Sequence, residues 1–171
     1  MASWPARTWS PAELVTSTMM NGVRDQLNEL HGVALQIANW TPRIQWGVTV
    51  PSDITYTNQF GRYIRVGPFV WAFGRLTMSN KGAGTGTLSI GNLPLVVENV
   101  VGASTGAVVF SYFANMASNV GQMGGLVLNA TNRADIYGTT AATTAMGGFT
   151  NTIVTNTTDF IFIIEYLTSA P

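Results

Sequence analysis

His31 is the one histidine in 171 residues. A Ser–His–Asp relay needs an imidazole beside a nucleophile and an acid, and a zinc site needs several such ligands. This imidazole stands among Leu30, Gly32 and Val33 at a position that reads as exposed helix, which suits a solvated or interface role. Asp25 and Glu29 lie four apart and so share a helix face. Paired carboxylates drive glycoside hydrolysis, but in clefts lined with aromatic side chains, which this helix does not make. Near the end of the chain, Asp159 precedes an apolar run that contains Glu165. An inward-facing Glu165 is expected to pair with Arg62 or Arg65 rather than to act as an acid. Carbohydrate chemistry would need Asp53, Asp135, Asp159 or Glu165 to converge within about 10 Å.

Gly82-Ala83-Gly84-Thr85-Gly86 has the glycine density of a phosphate-binding loop. Such a loop must open a helix, whereas Thr87-Leu88-Ser89-Ile90 continues as strand and no Gly-Lys-Ser/Thr follows, so a turn between strands is expected. The chain has no cysteine, which removes disulfides, thiolate nucleophiles and Cys-ligated metals. No catalytic residue, cofactor or metal site is therefore expected. Of the five tryptophans, Trp4 and Trp9 occupy a short Pro-containing stretch ahead of a helix. An aromatic side chain there gains most by docking into a partner's pocket.

The elements that position these residues fall into two patterns that change near residues 39–42. Ser10 can cap a helix, Pro11 suits its first position, and Glu13 can reach back as the capping-box acid. Thr16, Met20, Val23, Leu27, Leu30, Ala34 and Ile37 then recur at alternating spacings of four and three, a heptad seam. Gly22 and Gly32 weaken that helix by about 1 kcal/mol each. Two readings stand open: an amphipathic helix packed on its own domain, or a short parallel bundle with copies from other subunits. From residue 43 onward the pattern is β. Strands are expected near 44–50, 62–66, 69–78, 87–90, 107–114, 125–128, 134–137 and 160–167, each rich in β-branched or aromatic residues between turn formers. In 69–78 and 160–167 both alternating sets are largely apolar, so these strands are central or turn one face to another subunit. Segments 116–125 and 138–158 are small and polar, and read as loops or edge strands that a neighbour orders.

Charged residues make up only 9% of the chain, eight basic against eight acidic. No stretch clusters Lys or Arg, which excludes the electrostatic footprint of a nucleic-acid binder. A surface this neutral suits a protein covered by copies of itself or by a larger assembly. No apolar run reaches the roughly 18 residues of a membrane span, and the opening residues lack a signal peptide's apolar core. A soluble chain, neither inserted in a membrane nor exported by a cleaved signal, is expected. The expected fold is mainly β: residues 1–40 an arm and helix for docking or trimerisation, residues 41–171 an antiparallel β-sandwich of the jelly-roll kind.

Arg7-Thr8-Trp9-Ser10-Pro11-Ala12-Glu13-Leu14-Val15-Thr16, followed by Met20-Asn21-Gly22-Val23-Arg24-Asp25-Gln26-Leu27, resembles the N-terminal pattern of bacteriophage minor tail and virion proteins. Phe60-Gly61-Arg62-Tyr63-Ile64-Arg65-Val66-Gly67-Pro68-Phe69-Val70 is similar to a strand pair of the same proteins, as are residues 86–94. The resemblance covers roughly the first hundred residues. It implies a homotrimer assembled into the virion after synthesis in the host cytoplasm, with N-terminal helices docking at a three-fold axis and jelly-roll bodies outward. Trp4, Trp9, Met20, Val23, Leu27, Leu30, Ala34 and Ile37 would then carry docking. Partners would be the chain itself, other tail or capsid proteins, and a host surface glycan or protein, which residues 139–158 would meet as tip loops. Capsid decoration, as a cement protein or head fibre, is the alternative within the same fold, and a carbohydrate-active enzyme is the third class.

Overall fold

The fold is seen in a computed structural model that describes residues 18, 20–23, 25, 35–100, 106–141 and 145–169. The chain divides into two compact units, Met1–Ala34 and Leu35–Pro171. In the first, the described residues 18, 20–23 and 25 are helical. In the second, ten strands follow in order: β1 (Leu35–Trp40), β2 (Arg43–Trp46), β3 (Thr55–Val66), β4 (Phe69–Asn80), β5 (Leu88–Gly91), β6 (Gly106–Met116), β7 (Val120–Val127), β8 (Arg133–Thr140), β9 (Gly147–Gly148) and β10 (Val154–Leu167). Every pairing is antiparallel, in the order β1-β3-β4-β10-β6-β7-β8-β5-β2, with β9 set against β8.

Two expectations change here. Ile37 is not on a helix: it lies in β1, paired with Ile64 of β3, and the division falls after residue 34 instead of residue 40. Six consecutive ladder partners from Leu35 to Trp40 outweigh a helical periodicity carried by Ala34 and Ile37 alone. The jelly-roll sandwich is likewise replaced by one continuous antiparallel sheet, curled into a half-barrel. Eight strands were expected from the sequence, and the two additional ones are β1 and β9.

The curl has a covalent cause. β1 and β2 are the opposite ends of the nine-strand path, yet only Thr41 and Pro42 separate them in the chain. Flat, at about 4.8 Å per strand, the ends would stand roughly 38 Å apart. From Trp40 to Arg43 the chain reaches at most about 11 Å. The sheet must therefore bend back on itself. β1 and β2 act as one strand broken at a corner, the first half pairing with β3 and the second with β5. Side chains of β3 bridge the seam to β2: the Ile44 N–H donates to the Tyr56 hydroxyl at 2.7 Å, and Gln59 Nε2 donates to the Pro42 carbonyl at 2.8 Å.

Curvature crowds the concave face, and glycine relieves it where two rings cross. Trp40 lies opposite Gly61, Gly61 opposite Gly74, and Gly74 opposite Phe162, so the four form one inner row. A Cβ at Gly61 would sit 2.4 Å from the Trp40 ring, and one at Gly74 would sit 2.5 Å from the Phe162 ring. The rings use the vacated space. Trp40 meets Phe162 edge-on at 6.5 Å and sends its Nε1–H to the Phe73 carbonyl at 3.1 Å, while Phe110 packs on both Phe160 and Phe162. Leu76, Met78, Leu88, Ile90, Ile136 and Ile164 complete the buried centre, each side chain stabilising the fold by roughly 1.5–3 kcal/mol. Between β3 and β4, Gly67 at φ +58 and Pro68 make a two-residue hairpin of the type II′ pattern.

Adding one methyl group at Gly74 should lower stability by about 1–3 kcal/mol, because the Phe162 ring is boxed in by Trp40 and Phe110. Gly74→Ala is expected to reduce the melting temperature by roughly 3–10 °C in a thermal melt. Gly147→Ala, where nothing lies within 4 Å of the added carbon, should leave it unchanged.

Candidate interaction surface

Residues directly opposite one another in an antiparallel sheet share a face. The register therefore builds the outer, convex surface row by row. One row runs Leu35, Val66, Phe69, Leu167 across β1, β3, β4 and β10. The next runs Ile37, Ile64, Trp71, Glu165, Ala107, Leu126 from β1 to β7. A third carries Asn39, Arg62, Phe73, Ile163, Val109. Beyond it come Phe60, Arg75, Ile161 and Tyr112. Alternate residues of β4 and β10, Val70, Ala72, Leu76, Phe160, Phe162 and Ile164, fill the core. Both sets are apolar, as the sequence pattern of 69–78 and 160–167 requires.

Ten large hydrophobic side chains of these rows are 37–66% exposed: Leu35, Ile37, Phe60, Val66, Phe69, Phe73, Val109, Tyr112, Leu126 and Ile161. Phe69 and Trp71 stack at 6.0 Å with 20° between their planes. Together with Ala107, Glu165 and Leu167 they line a groove of about 500 Å³ on this surface.

Glu165 faces outward and is exposed, so the pairing expected of an inward-facing Glu165 does not arise. Parity along β10 places it with Ile161 and Ile163, and an ion pair with Arg62 does not form. Arg62 stands on the same face but beyond the intervening strand β4. Two strand spacings and two residues along the strand separate them by roughly 12 Å. Arg65 turns its Nε to the Gly67 carbonyl at 2.7 Å. Neither Arg62 nor Glu165 has an ion-pair partner among the described residues.

Asp159, Asp135 and Asp53 have partners of their own. Asp159 sits at the rim, where Arg75 grips both its oxygens through Nε at 3.2 Å and Nη2 at 2.8 Å, and Thr77 Oγ1 donates at 2.8 Å. Asp135 is buried and accepts from Ser89 Oγ at 2.7 Å and Arg133 Nε at 3.2 Å. Asp53 accepts from the Ala83 N–H at 2.8 Å, so a carboxylate occupies the glycine loop where a phosphate would have to sit. That loop joins β4 to β5, which are not neighbours, so it is a crossover and not a hairpin turn. Asp159 and Glu165 lie six residues apart on one strand, about 20 Å along it. Glu165 and Asp135 lie three strands apart, about 14 Å across the sheet. Both spans exceed the 10 Å within which a glycosidase pair works.

Among the docking residues expected from the sequence, Met20 and Val23 are helical and exposed, and Ile37 is exposed on β1. Trp4, Trp9, Leu27, Leu30 and Ala34 lie outside the described residues, as do His31 and Glu29. Leu35, Ile64, Val66 and Val109 are surface residues that the sequence reading did not single out. Their signal was the period-two alternation shared by neighbouring strands, which becomes a surface only once register is known.

Two tyrosines show the opposite environment. Burial raises the Tyr56 hydroxyl above its ordinary value against the bond from Ile44. Burial also raises Tyr166, whose hydroxyl both donates to the Leu95 carbonyl and accepts from the Leu95 N–H at 3.1 Å. Asp159 moves down instead: its bonds from Arg75, and then from Thr77, hold the carboxyl below the usual range against partial burial. A carboxylate lowered by folding stabilises the protein above its unfolded value of about 3.9 and loses that contribution as pH falls through the lowered value. The melting temperature of Asp159→Asn should therefore lie below that of the wild type at about pH 7 and converge with it near pH 2, as read from melts across that window.

No protein-family model and no curated protein matches this chain. Among solved structures the fold is similar to the crystal structure of Dettilon tailspike protein (gp208), with a TM-score of 0.61 and 15% identity over 77% of this chain. The chain spans 23% of the length of that tailspike chain, and the likeness is one of fold.

Proposed function

We propose that this chain is a structural component of a bacteriophage virion, a trimeric tail-associated module whose β body is displayed on the particle and meets the host surface. The observation that carries the reading is the fold shared with a tailspike protein. That likeness covers 77% of this chain, and the resemblance of residues 7–27 to minor tail proteins supports the same reading. The role is mechanical and adhesive, not catalytic. The carboxylates are spread along the sheet, and what the outer surface offers instead is apolar area. Residues 1–34 are the attachment end in this reading, and Met20 and Val23 keep large apolar side chains exposed for it.

Purified particles of the phage that encodes the chain should contain it in a copy number divisible by three, measured by quantitative mass spectrometry. Antibody-gold labelling should decorate the tail. Gold confined to the head would replace the tail assignment with capsid decoration, and a chain missing from washed particles would remove the virion reading altogether.

A further inference from the structure

We infer that the outer face over β1, β3, β4, β10 and β6 is where copies of this chain meet, with Arg62 of one copy pairing with Glu165 of the next. The inference rests on the self-assembled reading above and assigns the surface that does the assembling.

Area is the first support. At roughly 150–250 Å² for a full-sized ring, the exposed fractions of the ten side chains sum to an apolar surface on the order of 800–900 Å², more than the roughly 300–600 Å² patch of a typical monomer. A standard stable interface takes about 800 Å² from each partner. The face as a whole thus offers enough apolar area to be covered by other proteins, about half of it to each neighbour if two share it.

Charge identifies that protein as a copy. The central rows contain one acid, Glu165, and one base, Arg62, on opposite halves of the face with β4 between them. Each lacks an ion-pair partner among the described residues. A surface with one charge of each sign on opposite halves, not paired with each other among the described residues, is complementary to itself. In a head-to-tail ring the β3 half of one copy lies against the β10 half of its neighbour, so every Arg62 finds a Glu165, and each copy gives half of its face to each of two neighbours. The net charge of zero means that copies do not repel as they approach. A sugar site would instead gather several polar groups around the groove, whereas Glu165 is the single charged side chain lining it.

The test uses the full chain and reads its molar mass by light scattering and mass photometry. The wild type should associate. Arg62→Glu places two acids together and Glu165→Arg two bases, and each should weaken association at least about tenfold. The double variant, Arg62→Glu with Glu165→Arg, should recover it to within roughly threefold. Both side chains are on the surface, so circular dichroism and melting temperature should match the wild type in all three. Recovery in the double variant supports the pairing. Single variants that associate as the wild type does, or a double variant without recovery, overturn this face while leaving self-assembly intact. A monomeric wild type overturns both this face and the trimeric part of the proposed function.

Discussion

The shape of the β body depends on one covalent constraint: the chain passes from one end of a nine-strand path to the other through Thr41 and Pro42. A link so short cannot join the edges of a flat sheet, so the strands between them must arch. Arching shortens the concave side and brings Trp40 and Phe162 over the same inner row. Those rings fit because Gly61 and Gly74 have no side chains there. Closure, curvature and the two glycines are one solution and not three independent features. Pro42 suits the corner because it needs no N–H partner, and its carbonyl is claimed by Gln59 across the seam.

The same constraint produces the outer surface. Strands β4 and β10 lie in the middle of the path, paired on both sides, so their backbone groups are satisfied by neighbours. Side chains are then free to be apolar on both faces without leaving polar backbone exposed to compete. One face fills the core, and the other stands on the convex side. A half-barrel formed within one compact unit, Leu35–Pro171, has one interior. Any apolar residue of the second parity must look outward. The rim marks where this surface stops: the Arg75–Asp159–Thr77 cluster is the first fully paired polar group met along β4 and β10.

How far the sequence revealed this follows from which information is local. The two-sided alternation in 69–78 and 160–167 is local, and both strands appear with the expected parity sets. The helix-to-strand change near residue 39 is local too, but Ile37 fits a heptad spacing as well as it fits a neighbouring strand. Only the long-range ladder to β3 decides between them. Sheet order is not local at all: β10 inserts between β4 and β6, which puts Phe160 and Phe162 beside partners about fifty and ninety residues earlier. The jelly-roll expectation failed for that reason. Glu165 illustrates the limit most sharply. Its place in the alternating set was readable, but whether that set faced the core depended on Gly74 leaving room for Phe162. Arg62 and Arg65 were candidate partners on charge alone, and the register places Arg62 across β4 while Arg65 turns its Nε to the Gly67 carbonyl.

Edge geometry bears on the proposed association through a face. A half-barrel has two free edges, and an unprotected edge recruits further strands by backbone hydrogen bonds. At β2 that route is occupied. The Ile44 N–H is bonded to the Tyr56 hydroxyl, and the Trp46 N–H and carbonyl are both bonded to Thr49, where the chain folds back against its own strand. Burial that raises the Tyr56 hydroxyl also keeps water from competing for its bond to Ile44. A second copy approaching this edge finds the Ile44 N–H and both Trp46 backbone groups already paired. What the body offers in quantity is the convex face, apolar over five strands, its central rows interrupted by one acid and one base. Contacts through a face are made by side chains, so partner choice can be set by two residues, whereas pairing through an edge is made by backbone that every strand carries alike.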